Sequence, residues 1–331
     1  MRLFVTGGAG FIGSHFIRYV LATQPDVMVT NYDKLTYAGN LDSLRDVERD
    51  PRYTFVRGDI CDRAHVVEVM PGHDAVVNFA AESHVDRSIE RSGDFLHANC
   101  LGANTLFDVA MRLGIERFLH ISTDEVYGSI ERPATFDEGD ALQPSSPYAV
   151  SKAAADMLAR AYRVTFGYPI TVTRTGNNFG PCQYPEKAIP LFVTNLLDGL
   201  KVPLYGTGMN VRDWTYVVDN AVAQWLVLTQ GTPGEVYNVT AGNELSNREL
   251  VQRILARLGS GEEMIAYVPD RPGHDLRYAV DATKVRDLGW RPAYGFDEAL
   301  DATIDWYRAN EWWWRPLRDR GAMRRQGLVR R

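Results

Sequence analysis

Two short segments of the chain contain the residues best suited to chemistry. In the first, an apolar run over residues 117–122 is typical of a buried parallel strand, and it ends in Thr123, Asp124 and Glu125. In an open α/β sheet, groups just beyond the carboxyl ends of the strands face the ligand crevice. A hydroxyl and two adjacent acids at that place predict an acid–base set.

The second segment begins with Tyr148 and Lys152, which stand four residues apart at the start of a helical pattern. Side chains at this spacing lie on one face of a helix. An ammonium group beside a phenol favours the phenolate, which can act as a base near neutral pH. Together the two segments predict a hydroxyl, two carboxylates and an activated phenol at one cleft.

A glycine-rich turn near the start of the chain predicts a dinucleotide site. The apolar strand 3–6 runs into Gly7, Gly10 and Gly13, and a helical pattern follows, which is the order that a dinucleotide fingerprint requires. Glycines let the backbone approach a pyrophosphate, and the helix N-terminus offers free N–H groups. Taken alone, a glycine turn is often only a tight turn.

An aspartate after the second predicted strand indicates which dinucleotide is bound. Asp33 lies at the end of that strand, where a carboxylate accepts hydrogen bonds from the adenosine ribose and repels a 2′-phosphate. It therefore favours NAD over NADP, although a turn or helix-cap aspartate is the alternative and the adjacent Lys34 weakens the preference. Asp59 and Ile60, after the third strand, are expected at the adenine edge.

The order of the predicted elements indicates the fold class. Strands and helices alternate as far as residue 176, which predicts an α/β fold with a Rossmann-type, doubly wound parallel sheet. Within it, a buried strand leads into Ala80 and Ala81, which are small enough for close approach to the cofactor, and Ser83 then lies within reach of a substrate. Beyond residue 176 the rhythm changes, and residues 204–214 resemble a hairpin.

This change of rhythm divides the chain into two lobes and a tail. Residues 1–176 form the predicted NAD-binding domain, which residues 211–240 rejoin. Residues 177–210 and 241–315 form a smaller mixed α/β substrate lobe. Residues 316–331 are basic and poor in packing groups, so a flexible tail is expected.

The composition excludes several classes of function. Of the 331 residues, 45% are hydrophobic and 24% are charged, as in ordinary soluble proteins. A net charge of −6 gives no nucleic-acid footprint, and no apolar run is long enough to span a bilayer. Cys61, Cys100 and Cys182 are widely spaced and form no metal-ligand pattern. We therefore expect a cytoplasmic protein with reduced thiols and no metal, membrane or nucleic-acid partner.

A series of segments, in order along the chain to about residue 280, carries a resemblance to a known family. They are TGGAGFIGSH, YDKLTYAGN, FAAESHVDRSI, STDEVYGS, SPYAVSKAAAD, NNFGP, PEKAIPLFVTNLLDG, VPLYGTGMNVRDWTYV and DRPGHDLRY. The chain resembles the nucleotide-sugar 4,6-dehydratases of the extended short-chain dehydrogenase/reductase superfamily, and among them the dTDP-glucose 4,6-dehydratases. The TDE triplet discriminates, because simple sugar epimerases usually lack the paired acids. The departures from the family pattern lie outside the catalytic set: Ala98, Gly176, Phe179, Cys182 and Asn220.

The resemblance implies a reaction and a part for each matching residue. Tyr148 would remove the proton of the sugar 4-hydroxyl while NAD accepts the C4 hydride, with Lys152 lowering the pKa of Tyr148 and Thr123 holding the 4-oxygen. Glu125 would take the C5 proton, and Asp124 would protonate the departing 6-hydroxyl. Return of the hydride to C6 would give dTDP-4-keto-6-deoxyglucose from dTDP-glucose.

The resemblance also implies two sets of binding residues, each of which taken singly has a surface-charge or turn explanation. The cofactor set is Gly7, Gly10, Phe11, Ile12, Gly13, Asp33, Lys34, Asp59, Ile60, Ala80, Ala81, Tyr148, Lys152 and Asn178. The substrate set is Ser83, Thr123, Asn177, Lys187, Pro203, Tyr205, Arg212, Asn247, Arg271 and His274. Arginine forks suit diphosphate oxygens.

Other functions remain open at this point. An NAD-dependent nucleotide-sugar 4-epimerase would share the fold, Tyr148, Lys152 and the cofactor, but needs no acid pair. A 4,6-dehydratase acting on a guanosine or uridine diphosphosugar is a second alternative. An NAD-sensing protein without catalysis would show a broken acid or Tyr/Lys set, and both are intact. The family further implies a homodimer built on the helices predicted at residues 95–113 and 148–165.

Overall fold

The structure is a computed structural model that describes residues 1–319, so most of the predicted basic tail, residues 320–331, lies outside the described residues. The strands are β1 (Arg2–Thr6), β2 (Met28–Asp33), β3 (Tyr53–Arg57), β4 (Ala75–Asn78), β5 (Arg117–Thr123), β6 (Ile170–Thr175), β7 (Asn177–Phe179), β8 (Val202–Tyr205), β9 (Val211–Tyr216), β10 (Val236–Val239), β11 (Glu244–Ser246) and β12 (Ile265–Val268).

The helices alternate with these strands in the first half of the chain. They are α1 (Phe11–Thr23), α2 (Arg63–Val69), α3 (Val85–Glu90), α4 (Ser92–Phe95), α5 (Ala103–Arg112), α6 (Pro147–Phe166), α7 (Ala188–Leu197), α8 (Val217–Gln230), α9 (Asn247–Leu258), α10 (Thr283–Asp287) and α11 (Phe296–Ala309). A π-helical stretch, Leu96–Gly102, joins α4 to α5, so the helix predicted at residues 95–113 is helical throughout but not uniformly α. Short 3₁₀ turns lie at Leu41–Leu44, Asp124–Tyr127 and Glu262–Met264.

A seven-stranded parallel sheet forms the frame of the molecule, with strand order β3-β2-β1-β4-β5-β6-β10. The order reverses between β1 and β4, and in such folds the ligand crevice lies outside the carboxyl ends of the strands at this point. The predicted doubly wound fold is therefore confirmed.

Helices cover both faces of this sheet because its central strands are apolar on both sides. Along β4, Val77 joins the core beneath α1 and α8, whereas Val76 joins the core beneath α2, α5 and α6. Successive side chains of a strand point to opposite faces, so a continuous apolar run packs two helical layers at once.

The second lobe contains two small sheets and its own core. β7, β9 and β11 form one sheet, and β8 pairs in parallel with β12 in the other. The hairpin predicted at residues 204–214 is therefore wrong, because β8 and β9 belong to different sheets. Gly206 and Gly208 both have positive φ and turn the chain between β8 and β9. The turn residues were correctly placed, but local sequence does not reveal which strand pairs with which.

The chain passes between the lobes more than once. α8 packs on α1, and β10 adds the last strand to the large sheet, whereas β9 stays in the second lobe. Farther along, Val285 and Trp290 lie in the core beneath α1 and α8. Leu317, at the start of the predicted tail, is buried in the core of the second lobe.

Two further findings concern residues 1–319. No helix in this range combines the length and apolar character needed to cross a bilayer. Within the same range, no cluster of three or more His, Cys, Asp or Glu side chains is arranged to hold a metal ion.

Candidate active site

The two adjacent acids lie where β5 leaves the sheet. The strand ends at Thr123, and a 3₁₀ turn carries Asp124 and Glu125 before Gly128, at φ 83°, redirects the chain. The Thr123 hydroxyl accepts a hydrogen bond from the Glu125 backbone N–H at 3.3 Å and donates one to Asp124 Oδ1 at 3.3 Å. This cap fixes both carboxyl groups relative to the end of the strand.

Asp124 is a buried acid with a strongly raised pKa. It is 3% exposed, and burial, reinforced by the charges of Glu125 and Asp213, raises its pKa to about 8. A carboxyl group with such a pKa is protonated at neutral pH and can donate a proton.

Glu125 has a different electrostatic environment although it is the next residue. Burial raises its pKa too, but the positive charges of Arg212, Arg271 and Lys187 all oppose the rise. Both pKa values are therefore raised, but the rise is reinforced by neighbouring negative charges at Asp124 and opposed by three cations at Glu125.

Tyr148 and Lys152 are held by the first turns of α6, which begins with an ordinary cap. Ser146 accepts a hydrogen bond from the Ala149 backbone N–H at 3.1 Å, and Pro147 occupies the first turn. Lys152 is 3% exposed and donates from Nζ to the Ile121 carbonyl oxygen of β5 at 2.6 Å. These contacts place both side chains beside the acid-bearing turn.

The pKa values of this pair differ in part from the sequence-based expectation. Burial lowers the pKa of Lys152 to about 8, and Asp156 opposes this shift. Burial and the charge of Glu125 raise the pKa of Tyr148 well above its ordinary value, against a hydrogen bond with Thr123. The direction for Tyr148 is the reverse of that expected from its spacing to Lys152, because desolvation of the phenol is the largest cause and the negative charge of Glu125 adds to it.

The glycine turn is shaped for a phosphate group. Gly7 has φ 69°, and a Cβ there would lie 2.5 Å from the Ala80 backbone nitrogen. A Cβ at Gly13 would lie 2.5 Å from the Gly7 carbonyl oxygen. Gly10 lines the cleft and caps α1 without a side-chain hydrogen bond, so no capping side chain occupies the first N–H groups of the helix. These are the features that a dinucleotide pyrophosphate requires.

Asp33 and Lys34 both make contacts at this end. Asp33 accepts hydrogen bonds from the backbone N–H groups of Ala9 at 2.9 Å and Leu35 at 2.7 Å, so it also shapes the glycine turn. Lys34 Nζ pairs with Asp59 Oδ2 at 2.6 Å. The lysine charge that weakened the NAD preference is therefore partly neutralised.

Positive side chains of the second lobe converge on the opposite side of the same cleft. Arg212 donates to the Asp275 carbonyl oxygen at 3.1 Å and lies over the Tyr278 ring at 4.1 Å. Arg271 reaches Asp86 Oδ1 of the first lobe at 3.5 Å, and its Nε is buried without a hydrogen-bond partner among residues 1–319. Burial lowers the pKa of Lys187. Cationic side chains with spare donors suit an anionic ligand.

A cleft of about 1700 Å³ joins the two sets of predicted residues. Those that line it are Gly7, Gly10, Asp33, Lys34, Asp59, Ile60, Ala80, Ala81, Glu125, Asn177, Lys187, Pro203, Tyr205, Arg212, Asn247, Arg271 and His274. The other predicted residues are not part of its lining: Phe11, Ile12, Gly13, Ser83, Thr123, Asp124, Tyr148, Lys152 and Asn178. The Ser83 carbonyl oxygen accepts a hydrogen bond from Tyr37 at 2.8 Å.

Several residues of the cleft were not predicted. Tyr278 lines it and donates to Asp275 Oδ2 at 2.8 Å. Glu186 pairs with Arg87 at 2.8 Å, which ties the lobes together. His84 adopts φ 104°, an unusual backbone conformation for a residue with a side chain. Their proximity to Ser83, Lys187 and His274 in the chain was the available signal.

Comparison with known proteins bears on this geometry. The family described as GDP-mannose 4,6 dehydratase matches residues 4–303. The chain is 51% identical to a dTDP-glucose 4,6-dehydratase of Streptomyces niveus, over 96% of each protein. This chain belongs to the 4,6-dehydratase family.

Solved structures agree with this placement. The structure of DesIV, a dTDP-glucose 4,6-dehydratase from Streptomyces venezuelae with NAD and dTDP bound, matches with a TM-score of 0.94 at 51% identity, covering 96% of this chain and 100% of DesIV. A UDP-glucose 4-epimerase of Thermus thermophilus in complex with NAD matches with a TM-score of 0.85 at 32% identity, covering 94% of this chain and 100% of the epimerase. The fold is shared with epimerases, and the similarity to the dehydratases is greater.

Proposed function

We propose that this protein converts dTDP-glucose into dTDP-4-keto-6-deoxyglucose with NAD as its cofactor. The reaction comprises oxidation at C4, loss of water across C5 and C6, and return of the hydride to C6. The observation that carries the proposal is the contrast between Asp124, with a pKa of about 8, and Glu125, whose pKa three cations restrain. The relatives reported above confirm the predicted family, the NAD cofactor and the hydro-lyase class.

The residues of the first lobe fit NAD. The glycine turn and the N-terminus of α1 would hold the pyrophosphate, and Asp33 and Asp59, which line the cleft, would contact the adenosine. When bound, NAD supplies the hydride acceptor for C4 and the hydride donor for C6. The protein then has to move protons at the 4-oxygen, at C5 and at the 6-oxygen.

Tyr148 serves the first of these positions. A phenol with a raised pKa needs a nearby positive charge before it can accept the 4-hydroxyl proton, and Lys152 is the closest candidate on its own helix. Thr123 forms a hydrogen bond with Tyr148 and lies at the start of the acid turn. It can therefore align the 4-oxygen between the phenol and the acids.

Glu125 and Asp124 serve the other two positions. A C4 ketone acidifies the C5 proton, and Glu125 accepts that proton as a carboxylate. The C6–O bond then breaks, and Asp124 gives its proton to the leaving hydroxyl, which departs as water. The protonated Glu125 can return its proton to C5 when the hydride reaches C6. This sequence needs one protonated and one ionised acid, and the cations around Glu125 support its assignment as the ionised one.

The second lobe would bind the nucleotide and the diphosphate. Arg212, Arg271 and Lys187 supply the charge that a diphosphate needs, and the Arg271 Nε has no partner among the described residues. The same cations restrain the pKa of Glu125, so substrate binding and acid–base balance are linked. The acid pair favours dehydration over the 4-epimerase alternative, which has no use for it.

The test is product analysis after incubation with a panel of nucleotide-diphosphosugars. Mass spectrometry should show loss of one water from dTDP-glucose, with slower or absent reaction on uridine and guanosine analogues. Deuterium placed at C4 should appear in the C6 methyl group by NMR. Unchanged substrate mass across the panel would exclude dehydration, and inversion at C4 would identify an epimerase.

The assembly and location of the protein are also proposals. Large apolar side chains on the π-helical stretch and on α6 are exposed, with Leu101 at 57%, Met157 at 52% and Val164 at 72%. Such patches favour association, and the face suits a homodimer of paired helices. Light scattering of the protein and of Leu101→Glu tests this. A cytoplasmic location agrees with three unpaired cysteines and is tested by cell fractionation.

A further inference from the structure

A buried ion pair lies directly behind the reacting residues. Asp156 stands one helical turn after Lys152 on α6, and its Oδ2 accepts a hydrogen bond from Arg174 Nε of β6 at 2.9 Å. The two side chains are 3% and 7% exposed. Isolated charges at this depth are costly, and a buried pair often adds little to stability. Its place beside the site therefore calls for another explanation.

The pair is connected to both halves of the proposed catalytic set. Asp156 is the group that most opposes the effect of burial on Lys152. On its other side, Arg174 Nη1 donates to the Tyr127 hydroxyl at 2.6 Å, and Tyr127 closes the 3₁₀ turn that carries the two acids. Tyr127 in turn donates to Asn238 Oδ1 at 2.9 Å.

We propose that Asp156 and Arg174 are positioning residues, which keep Lys152 charged beside Tyr148 and hold the acid-bearing turn at the end of β5. The proposal rests on the function assigned above to Lys152 and Tyr148. Neither Asp156 nor Arg174 lines the cleft. They act through other residues and do not touch substrate or cofactor.

The charges around Lys152 make Asp156 decisive. On α6 the titratable neighbours are Asp156 and Tyr148, β5 contributes His120, and β6 contributes Arg174 behind Asp156. Burial holds the pKa of His120 well below its ordinary value, so His120 is neutral. The Asp156 carboxylate is therefore the negative charge that supports the ammonium of Lys152.

Asp156 itself depends on Arg174. Burial raises the pKa of Asp156, and the Arg174 guanidinium is the first of the groups that oppose this. Without Arg174, Asp156 would take up a proton and stop supporting Lys152. Removing either partner should thus have the same effect on Lys152, and removing both should add little more.

A direct experiment measures the titration of Lys152. The chain has five lysines, Lys34, Lys152, Lys187, Lys201 and Lys284, so labelling with ¹³Cε-lysine gives few NMR signals, which Lys152→Arg assigns. Asp156→Asn and Arg174→Met should each lower the pKa of Lys152 by about one unit or more, as loss of a close opposite charge does. In Arg174→Lys, which keeps the positive charge, the pKa of Lys152 should stay close to its wild-type value.

The double variant separates positioning from mere stability. Asp156→Asn with Arg174→Met removes both buried charges and should melt closer to the wild type than Asp156→Asn does, since no charge is left unpaired. The pKa of Lys152 should nevertheless stay low. If the double variant regains the wild-type pKa, or if neither single variant moves it, the proposal is wrong.

A matched control and a kinetic measurement complete the test. Asp50 and Arg52 form another close pair, at 2.6 Å, before β3 at the far end of the sheet, and Asp50→Asn should leave the pKa of Lys152 unchanged. In Asp156→Asn with dTDP-glucose, the pH range in which NADH forms should shift to lower pH, because the pKa of Lys152 is lower. If the pKa of Lys152 shifts in the variants but the wild type does not dehydrate dTDP-glucose, the proposed function is refuted. The positioning role of Asp156 and Arg174 towards Lys152 would still stand.

Discussion

The two ends of the cleft use charge in different ways. At the reacting end, Asp124 and Lys152 are each 3% exposed, and burial moves the pKa of both to about 8. At the diphosphate end, the Arg271 side chain is 20% exposed, and its partner Asp86 is 36% exposed. Partly hydrated arginines keep their charge at any working pH.

This contrast shows how one cleft can bind and react. Guanidinium groups at the diphosphate end suit recognition of an anion over a wide pH range, whereas desolvated groups at the reacting end exchange protons near neutrality. Glu125 lies between the two, since it is buried with Asp124 but feels the cations of the second lobe. Substitutions at the reacting end should therefore mainly alter rate constants, and substitutions at the diphosphate end should mainly alter substrate affinity.

The largest effect is expected from Glu125→Gln at the junction. Loss of the base should lower kcat for dehydration by about 10²–10⁴-fold, the usual contribution of a positioned base. NADH formation should persist, but exchange of the C5 proton with deuterated water should stop. Glu263→Gln, an exposed glutamate outside the cleft, is the control. Continued C5 exchange in Glu125→Gln would remove that residue from the mechanism.

The pH dependence of elimination should follow Asp124. Because its pKa is raised to about 8, Asp124 is protonated below that pH, and elimination should slow about tenfold per pH unit above it. Lys152 has a similar pKa, so the steps are measured separately by rapid mixing, as appearance and decay of NADH. In Asp124→Asn, the rate of NADH decay should no longer fall as pH rises above about 8, whereas the pH dependence of NADH appearance should be unchanged. If the rate of NADH decay still falls above that pH in Asp124→Asn, the assignment is wrong.

At the diphosphate end, Arg271→Gln should change the affinity for substrate more than the rate of reaction. A hydrogen bond between charged groups contributes about 1.5–3 kcal/mol, so KM for dTDP-glucose should rise about 10- to 100-fold. The value of kcat should change less than KM, because Arg271 acts on the reacting end only through its charge on Glu125. Lys201→Gln, at an exposed lysine that does not line the cleft, controls for net charge. A loss confined to kcat would show that the two ends are not separate.

The smallest effect is a change of stability with pH. The folded state holds the Asp124 proton more tightly than the unfolded chain, so this stabilisation is complete below about pH 4 and is lost as pH rises through about 8. Asp124→Asn has no proton to lose, so its melting temperature relative to the wild type should rise by about 5 °C between pH 5 and pH 8.

Asp50→Asn gives the opposite sign for comparison. The Arg52 side chain lowers the pKa of Asp50, so the stabilisation is present above about pH 4 and is lost only below it. The difference in melting temperature between Asp50→Asn and the wild type should therefore be constant from pH 5 to pH 8. An equal pH trend in both variants would show that burial of Asp124 is not its cause.

Local sequence was sufficient to predict most of the elements and to select the residues proposed to react. The apolar run before Thr123, the glycine turn and the spacing of Tyr148 and Lys152 all lie within single elements, where period and turn chemistry are read directly. The hairpin at residues 204–214 failed because β8 and β9 find their partners far along the chain. Strand pairing is decided by tertiary packing, which a short window does not contain.

The sequence by itself determined the doubly wound sheet, the dinucleotide turn and the set of residues with suitable chemistry, since these depend on residue type and spacing. The tertiary structure decided that burial raises the pKa of Asp124 to about 8, that it also raises the pKa of Tyr148, and that Asp156 pairs with Arg174 one helical turn beyond Lys152. A pKa depends on what surrounds a group in space. Those surroundings come from β5, β6, α6 and the second lobe, which only folding brings together.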